Sequence, residues 1–373
     1  MTLAVTAMVR DEADIIRQWV EYHVAQGVDV IIVTDNASTD GTTEVLQDFA
    51  DAGVLHLHHD PVHRKQQGSV VTAMAREAAT VHGADWVVNA DADEFLVPVD
   101  RSLALSDVFA RLDPAIGAFT VPVVNLVGPL AQRGAGIDRL VWRDGRTNDE
   151  LQRVGVLAQP TPNAVHVGDP QVTVAQGNHL VSIPNAGVVP DELALEVLHL
   201  PWRSWEQLRH KVELAGLGYE ANPDLRPSPN HHGMLDYARL LDGTLMPYVA
   251  ARHVTDDEAA RGPFTRDLTL TEFFAAHDLT RPDDDVPLDP AVAQGHARVG
   301  RALVQRDGRI AELAHALEEQ RRSAHERHEA LLARQADLER EVERVTALSD
   351  AYASRRIVRA VDGLSGRLGR RRP

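Results

Sequence analysis

The stretch that decides the fold is Trp86-Val87-Val88-Asn89-Ala90-Asp91-Ala92-Asp93-Glu94-Phe95. Its first four residues are predicted to form a strand, and two carboxylates follow where that strand ends. Carboxylates two residues apart can face a single hard cation, and Mg²⁺ and Mn²⁺ prefer oxygen ligands. A lone Asp-x-Asp can also be an acidic surface turn, so its interpretation depends on the neighbouring sequence.

The residues before this stretch alternate between strand-like and helical patterns. Strands are predicted at residues 3–8, 28–34 and 54–58, and helices after Asp11, after Gly41 and over residues 69–81. This βαβαβαβ order predicts an α/β fold with a mainly parallel sheet and flanking helices. Ligands bind beyond the carboxyl ends of such strands. Two further polar turns, residues 10–12 and 35–36, are expected to meet the acidic pair there.

The rest of the chain predicts a large domain followed by a long helix. We expect a domain at residues 1–280, a linker at 281–300, a helix at 301–350 and a basic tail at 351–373. The linker is predicted from its Asp- and Pro-rich start. Within the domain we expect short strands at 165–167, 172–174 and 179–183, a helix over 204–217 and a Pro-rich loop over 222–230.

The long helix carries apolar residues spaced seven apart: Ile310, Leu317, Ala324, Leu331, Leu338 and Val345. The companion positions three residues later are mostly polar, so only half of a coiled-coil seam is apolar. Self-association through this helix is therefore expected, while a stable two-stranded coiled coil stays an open alternative.

The charge is unevenly distributed. The formal net charge is −17, which argues against a general nucleic-acid binder. Residues 351–373 contain seven arginines and one acid, so residues 1–350 carry −23. Apolar residues among these arginines would suit contact with anionic lipid on a helix, although a disordered basic end fits the composition equally well.

Composition also limits the chemistry and the expected location. The chain has no cysteine, which excludes disulfides, thiolate zinc sites and cysteine nucleophiles. No run approaches the roughly 20 apolar residues of a spanning helix, and the N-terminus lacks signal-peptide features. We expect a cytoplasmic protein, either free or peripheral on the inner face of the cell membrane.

As an ordered set, several motifs resemble the glycosyltransferase family 2-like proteins, in particular a branch in which Glu-Phe follows Asp-x-Asp. They are Met8-Val9-Arg10-Asp11-Glu12, Glu21-Tyr22-His23, Asp35-Asn36-Ala37-Ser38-Thr39-Asp40-Gly41, Asp91-Ala92-Asp93-Glu94-Phe95, Gly177-Asn178-His179 and His199-Leu200-Pro201-Trp202-Arg203-Ser204. The resemblance covers roughly residues 2–220. It implies a GT-A fold, a nucleoside-diphosphate sugar as donor, a divalent metal and inversion at the anomeric carbon.

The resemblance also implies roles for individual residues. Arg10, Glu12 and Asp35 would border the nucleoside, and Asp91 and Asp93 would face the ribose and the metal-bound diphosphate. His199 would be a third metal ligand beside Asp91 and Asp93. Arg203 and Lys211 would reach phosphate oxygens. For each there is a structural alternative: a helix-capping turn for Asp35, a core histidine for His199 and a solvated helix face for Arg203 and Lys211.

Inverting transfer needs a general base that takes the proton of the acceptor hydroxyl. His179 is our preferred candidate, because the ordinary pKa of histidine suits proton abstraction at neutral pH. Asp144, Asp149, Glu150 and Asp169 are the alternatives. The acceptor is expected to be a glycan or a lipid-linked molecule, in a setting such as cell-envelope or surface glycan synthesis.

Two other functions remain open. A sugar nucleotidyltransferase would normally have a Gly-rich basic loop after the first strand, where this chain has Arg10-Asp11-Glu12. A catalytically inactive GT-A-like domain could serve as a carbohydrate-binding scaffold that oligomerises through the long helix. The intact Asp-x-Asp motif argues against this second function.

Overall fold

The structure is a computed structural model that describes residues 1–62, 66–220, 232–282 and 285–368. Its strands are β1 (Leu3–Val9), β2 (Val30–Asp35), β3 (His56–His59), β4 (Trp86–Asn89), β5 (Glu94–Pro98), β6 (Ala118–Val121), β7 (Val123–Val127), β8 (Ala131–Arg133), β9 (Trp142–Asp144), β10 (Asn163–Val167), β11 (Leu195–His199), β12 (Phe264–Arg266) and β13 (Val286–Pro287). The helices are α1 (Ile16–Ala25), α2 (Thr42–Asp51), α3 (Gln67–Thr80), α4 (Leu105–Arg111), α5 (Asn148–Gln152), α6 (Trp205–Glu220), α7 (His232–Leu241), α8 (Leu245–Arg252), α9 (Asp256–Ala259), α10 (Thr269–Ala276) and α11 (Pro290–Leu368).

The central sheet confirms the α/β prediction. Among the described residues its strand order is β3-β2-β1-β4-β10-β6. The pairs β1–β2, β1–β4 and β2–β3 are parallel, whereas β10 runs antiparallel to β4 and to β6. Since both β1 and β4 are buried along nearly their whole length, the sheet is covered on both faces. The carboxyl ends of β1, β2 and β4 therefore lie at one edge.

A second, mixed sheet extends the fold beyond the acidic pair. Its order is β12-β9-β7-β11-β5, and β11 runs antiparallel to β5 but parallel to β7. This register places His199 opposite Glu94 and beside Asn125. The late histidine thus reaches the Asp-x-Asp motif through strand pairing, over a separation of about a hundred residues.

The core between sheet and helices is built from large apolar side chains. Trp19, Trp86, Phe95 and Phe109 are fully buried. The Nε1 of Trp19 donates to the carbonyl of Glu94 at 3.0 Å, and the hydroxyl of Tyr22 donates to the carbonyl of Leu96 at 2.7 Å. Helix α1 therefore fixes the backbone that carries the acidic motif.

The C-terminal helix differs from its prediction. Helix α11 begins at Pro290, inside the predicted linker at 281–300, and continues to Leu368, inside the predicted tail. The side chain of Asp289 explains the early start, because it accepts hydrogen bonds from the amides of Ala291 and Val292. Proline is favoured at the first position of a helix. The chain divides into two compact units, residues 1–305 and 306–373.

Other predictions were wrong in detail. Residues 172–174 and 179–183 do not form strands; the structure has only an isolated bridge between Val174 and Val181 there. The predicted loop at 222–230 lies outside the described residues. None of the described helices combines the length and apolar character that crossing a membrane requires.

Candidate functional site

Asp93 lies at the centre of a charged cluster beyond the end of β4. Its carboxylate is buried and lies 3.0 Å from the Nζ of Lys211, 3.4 Å from Nη1 of Arg203 and 3.7 Å from Nε2 of His199. Burial alone would raise the pKa of Asp93, but the charges of Lys211, His199 and Arg203 outweigh it and hold that pKa well below its usual range. Asp93 is therefore ionised.

Asp91 lies beside Asp93 in a different environment. Its Oδ1 accepts hydrogen bonds from Nε2 of Gln67 at 2.9 Å and Nδ2 of Asn178 at 3.2 Å. Within the described ranges no cationic nitrogen forms an ion pair with it. Burial and the neighbouring Asp93 raise the pKa of Asp91. This carboxylate would be stabilised by a cation arriving from outside the chain.

Arg203 is the buried link of the cluster. Its side chain is 0% exposed and pairs with Glu12, with Asp14 at 2.9 Å and with Asp93. Because no part of the guanidinium faces a cavity, direct contact with a phosphate, as the sequence suggested, does not fit this position. Arg203 instead holds three carboxylates in place.

Lys211, on α6, is accessible to solvent, whereas Arg203 is fully buried. Its side chain is about half exposed, at 49%, and its Nζ lies 3.9 Å from Glu12 as well as 3.0 Å from Asp93. An ammonium in this position can reach an incoming anion without leaving the cluster. Burial raises the pKa of Glu12 to about 7, against the opposing charges of Arg203 and Lys211.

His199 is oriented by an amide. Its Nδ1 donates to Oδ1 of Asn125 at 2.9 Å, which directs Nε2 towards Asp93. Although burial lowers the pKa of His199, the charge of Asp93 more than offsets it and the net pKa is raised. In the part of the chain that the structure describes, no group of three or more His, Asp or Glu side chains is arranged as a metal centre. The predicted trio of Asp91, Asp93 and His199 is therefore close in space but not preformed.

His179 forms a hydrogen-bonded chain with two neighbours. Its Nδ1 donates to Oδ1 of Asn163 at 3.1 Å, and Nδ2 of Asn163 donates to Oε2 of Glu94 at 2.7 Å. This arrangement leaves Nε2 of His179 as the nitrogen that can accept a proton. Burial and the nearby Asp91 raise the pKa of Glu94 to about 7.

The other candidate bases lie elsewhere. Asp144 is buried in a bidentate pair with Arg146. Glu150 caps α5 through Thr147, and Asp169 accepts from the amide of Gln171 in an exposed turn. Neither these residues nor Asp149 line the cavities that contain Asp91. Of the proposed bases, the structure brings only His179 to the acidic pair.

Of the residues in the turns at 10–12 and 35–36, Arg10 and Asn36 line a cavity at the end of the sheet, whereas Asp35 does not. Arg10 lines the same cavity as Asp91, which we call the cleft, and its guanidinium donates to the carbonyl of Asn36 at 3.0 Å. Asp35 instead accepts from the hydroxyls of Ser38 and Thr43, at 2.5 and 2.6 Å, and stabilises its own turn. It does not line the cleft, whereas the adjacent Asn36 does.

Two cavities meet at the cluster. The first, of about 540 Å³, is lined by Arg10, Glu12, Asn36, Asp91 and Lys211 among others. The second, of about 530 Å³, is largely apolar and is lined by Asp93, Asn125, His179, His199 and Trp202 among others. Asp91 and Lys211 line both. Two molecules, one in each cavity, would therefore meet at these residues.

The first third of the chain is similar to a known protein family. Residues 1–115, which include β1 to β4 and the Asp-x-Asp motif, match the family model of glycosyltransferase family 92. The match supports a glycosyltransferase. It does not confirm the family 2-like branch that the sequence motifs suggested. Among curated protein sequences, none is significantly similar to the chain.

Several solved structures are similar to this chain. The structure of S. aureus TarS is 12% identical over 68% of this chain, with a TM-score of 0.31, and the chain spans only 43% of that protein. TarS 1–349 in complex with UDP-GlcNAc is 11% identical over 83% of this chain and 92% of its own, with a TM-score of 0.34. Glucosyl-3-phosphoglycerate synthase from Mycobacterium tuberculosis, in complex with Mn²⁺, UDP and glucosyl-3-phosphoglycerate, is 17% identical over 67% of this chain and 79% of its own, with a TM-score of 0.28.

Several residues of the site were not predicted from sequence. Gln67, Asn125 and Asn163 orient Asp91, His199 and His179 respectively. His210, the residue immediately before Lys211 on α6, has its Nε2 2.8 Å from Oδ2 of Asp11. Isolated Asn and Gln side chains give no local signal, because their roles depend on distant strands that pair only in the folded chain.

Proposed function

We propose that the protein is a metal-dependent glycosyltransferase that moves a sugar from a nucleoside-diphosphate sugar to an acceptor hydroxyl with inversion. The observation that carries this proposal is the meeting of two cavities at Asp91 and Lys211. A partly buried carboxylate without an ion-pair partner among the described residues lies beside a half-exposed ammonium, and this pair suits a metal-bound diphosphate. Both groups would stabilise charge on the leaving diphosphate.

The first cavity suits the donor. Arg10 and Asn36, which follow β1 and β2, line this cavity together with Lys211, so a nucleoside could lie along the ends of these strands with its diphosphate near Lys211. Uridine diphosphate sugars are the first donors to test, because the similar structures of TarS and glucosyl-3-phosphoglycerate synthase contain UDP-GlcNAc and UDP.

The donor set fits a divalent cation that the substrate helps to bind. Asp91 and Asp93 offer oxygen ligands, and His199 offers a nitrogen close to Asp93. Mg²⁺ and Mn²⁺ commonly take one or two carboxylates and fill their other positions with water and substrate phosphates. When bound, the metal would neutralise charge on the diphosphate.

The second cavity suits the acceptor, with His179 as the base. Nδ1 of His179 is hydrogen-bonded to Asn163, so Nε2 is the ring nitrogen that can take the proton of the acceptor hydroxyl. The cavity is lined by Trp202, Val123 and Leu157, so it fits an acceptor with apolar faces such as a glycan or lipid-linked molecule.

The cellular setting is part of the proposal. We place the enzyme in the cytoplasm, with synthesis of cell-envelope or surface glycans as its setting. The basic tail would contact anionic lipid on the inner face of the membrane, and exposed apolar residues of α11, such as Leu317 and Leu338, would support self-association.

The test is donor turnover. UDP-sugars, and then other nucleoside-diphosphate sugars, would be incubated with the protein and Mn²⁺, Mg²⁺ or chelator, and the released nucleoside diphosphate would be measured. Metal-dependent release that Asp91→Asn reduces by at least a hundredfold supports the proposal. Release that is indifferent to chelator and to Asp91→Asn would contradict it.

One observation favours the second candidate, an inactive carbohydrate-binding scaffold. Asp93 is already neutralised by Lys211 and Arg203. A site so compensated could bind a nucleotide or sugar without turning it over. Nucleotide binding at normal stability with no release from any donor, under every metal condition, would identify this scaffold function.

A further inference from the structure

A cavity of about 500 Å³ lies beside the start of α1, outside the two cavities of the proposed active site. It is lined by residues 13, 14, 17 and 18 around the start of α1, by residues 133–135 at the end of β8, by residues 280–282, and by Val45 and Val286. We call it the α1 cavity. Of the four charged side chains in this lining three are basic, although residues 1–350 carry a net charge of −23. This local excess of positive charge favours an anionic ligand.

Three guanidinium groups line the α1 cavity: Arg17, Arg133 and Arg281. Arg133 has no hydrogen-bond or ion-pair partner within the described part of the chain. Arg17 has only a long pair, 3.9 Å, to the exposed Asp48, and Arg281 pairs at 2.6 Å with the exposed Asp138. Exposed pairs contribute little and exchange easily. The guanidinium groups of Arg17 and Arg133 can therefore bind an anion without breaking a strong ion pair.

The nearby carboxylates are already engaged. Asp14 lines the cavity but holds Arg203 through both of its oxygens, at 2.9 and 3.0 Å. Asp285 is paired with Arg139 at 2.9 Å. Since neither is free to neutralise the arginines, the described residues leave the α1 cavity with uncompensated positive charge.

A buried amide adds a second, independent observation. Gln18 lines the cavity, is 4% exposed and has an Oε1 with no hydrogen-bond partner. Its Nε2 makes only a long contact of 3.4 Å to the carbonyl of Thr280. An unpaired buried acceptor is costly. A ligand hydroxyl would satisfy it after a small movement of the side chain.

The α1 cavity is separate from the donor cavity. Arg203, with no exposed surface, lies between them and pairs with Asp14 on one side and Glu12 on the other. An anion in the α1 cavity thus occupies a distinct site. Guanidinium groups recognise phosphate through paired hydrogen bonds, and this cavity has room for one small molecule.

We propose that the α1 cavity binds a small phosphorylated molecule, with Arg17 and Arg133 holding the phosphate and Gln18 accepting from a hydroxyl. This site lies beyond the proposed transferase activity. Its test uses binding alone, so failure of the transferase proposal would not affect its result.

The experiment is calorimetric titration with pyrophosphate in chelator and at fixed chloride. All variants carry Lys211→Ala, which removes the phosphate-binding group of the donor cavity. The second change is Arg133→Gln in one protein and Arg266→Gln in its control, because Arg266 is an exposed arginine that lines none of the cavities described above. Circular dichroism would verify the fold of each variant.

We expect saturable binding at one site, a Kd at least tenfold weaker with Arg133→Gln and a change below twofold with Arg266→Gln. The same titrations in the wild-type background form a second arm that does not depend on Lys211→Ala. Absence of saturable binding, or equal effects of the two arginine changes, would overturn the proposal.

Discussion

At the scale of single residues, the site separates a compensated carboxylate from an uncompensated one. Asp93 has cations on three sides, whereas Asp91 has amides alone. A partly desolvated carboxylate without a counter-charge gains more from an added cation than one that is already paired. This asymmetry supports the proposal that the incoming cation binds mainly at Asp91, with Asp93 as its second carboxylate.

Arg203 provides the first prediction. Arg203→Gln leaves Glu12, Asp14 and Asp93 without their shared cation, so the free energy of unfolding should fall by about 3–5 kcal/mol. Arg209→Gln, six residues later on α6, is the control, because its pair with Glu213 is 44% and 45% exposed; we expect less than about 1 kcal/mol there. Urea denaturation measures both. Equal losses would show that Arg203 is not a structural link.

His179 provides the second prediction. His179→Gln removes the group that accepts the acceptor's proton, so kcat should fall roughly 10²- to 10⁴-fold while the donor Kd stays within about twofold. His277→Gln, an exposed change outside both cavities, should leave kcat unchanged. Steady-state kinetics with donor titration separates the effects. An unchanged kcat in His179→Gln would exclude it as the base.

At the scale of elements, the start of α11 is fixed by close packing. A Cβ on Gly300 would lie 1.9 Å from the carbonyl oxygen of Pro247 on α8, whereas one on Gly295 would meet nothing within 4 Å. The third prediction follows. Gly300→Ala should destabilise the protein by several kcal/mol, and Gly295→Ala should stabilise it by about 0.5–1 kcal/mol.

Thermal denaturation of the two glycine variants checks this prediction. The pair is matched because both positions lie in the same helix and in the same compact unit. If Gly300→Ala were as stable as Gly295→Ala, the first turns of α11 would not pack on α8 as described.

The elements also show what the sequence could predict. Strands β1, β2 and β4 carry local apolar patterns, so their order along the chain and the position of Asp91 at a strand end could be predicted from the sequence. The hydrogen bonds of Asn163 and Asn125 depend on strands that pair across long separations, and no local pattern records them. The start of α11 did have a signal, Asp289-Pro290, which the acidic and Pro-rich surroundings led us to interpret as a linker.

At the scale of the whole molecule, buried titratable groups make stability depend on pH. Burial lowers the pKa of His23 to about 4, against a backbone hydrogen bond to Trp19. Between about pH 6.5 and 4 the unfolded chain takes up this proton and the folded chain does not. Stability is therefore full above pH 6.5 and falls, as pH decreases, by up to about 1.4 kcal/mol per pH unit.

The fourth prediction compares slopes. Glu12 and Glu94, whose pKa values are raised to about 7, have the opposite effect on stability to His23. Their contribution to the stability of the folded protein falls as pH rises from about 4.5 to 7. The slope of the unfolding free energy against pH reports how many more protons the unfolded chain binds. His23→Phe should lower this number by about one, whereas the exposed His315→Gln should leave it unchanged. Urea denaturation from pH 4.5 to 7.5 measures this difference; identical slopes would mean that His23 titrates normally.

Nucleotide binding tests the proposed donor site most directly. Calorimetric titration of UDP, and of other nucleoside diphosphates, would be performed with Mn²⁺ and with chelator on the wild type, Asp91→Asn and the control Asp169→Asn, whose carboxylate is partly exposed and lines neither cavity of the proposed active site. We expect metal-dependent binding that Asp91→Asn weakens at least tenfold and Asp169→Asn leaves unchanged. No binding of any nucleoside diphosphate to the wild type, or binding indifferent both to chelator and to Asp91→Asn, would contradict it.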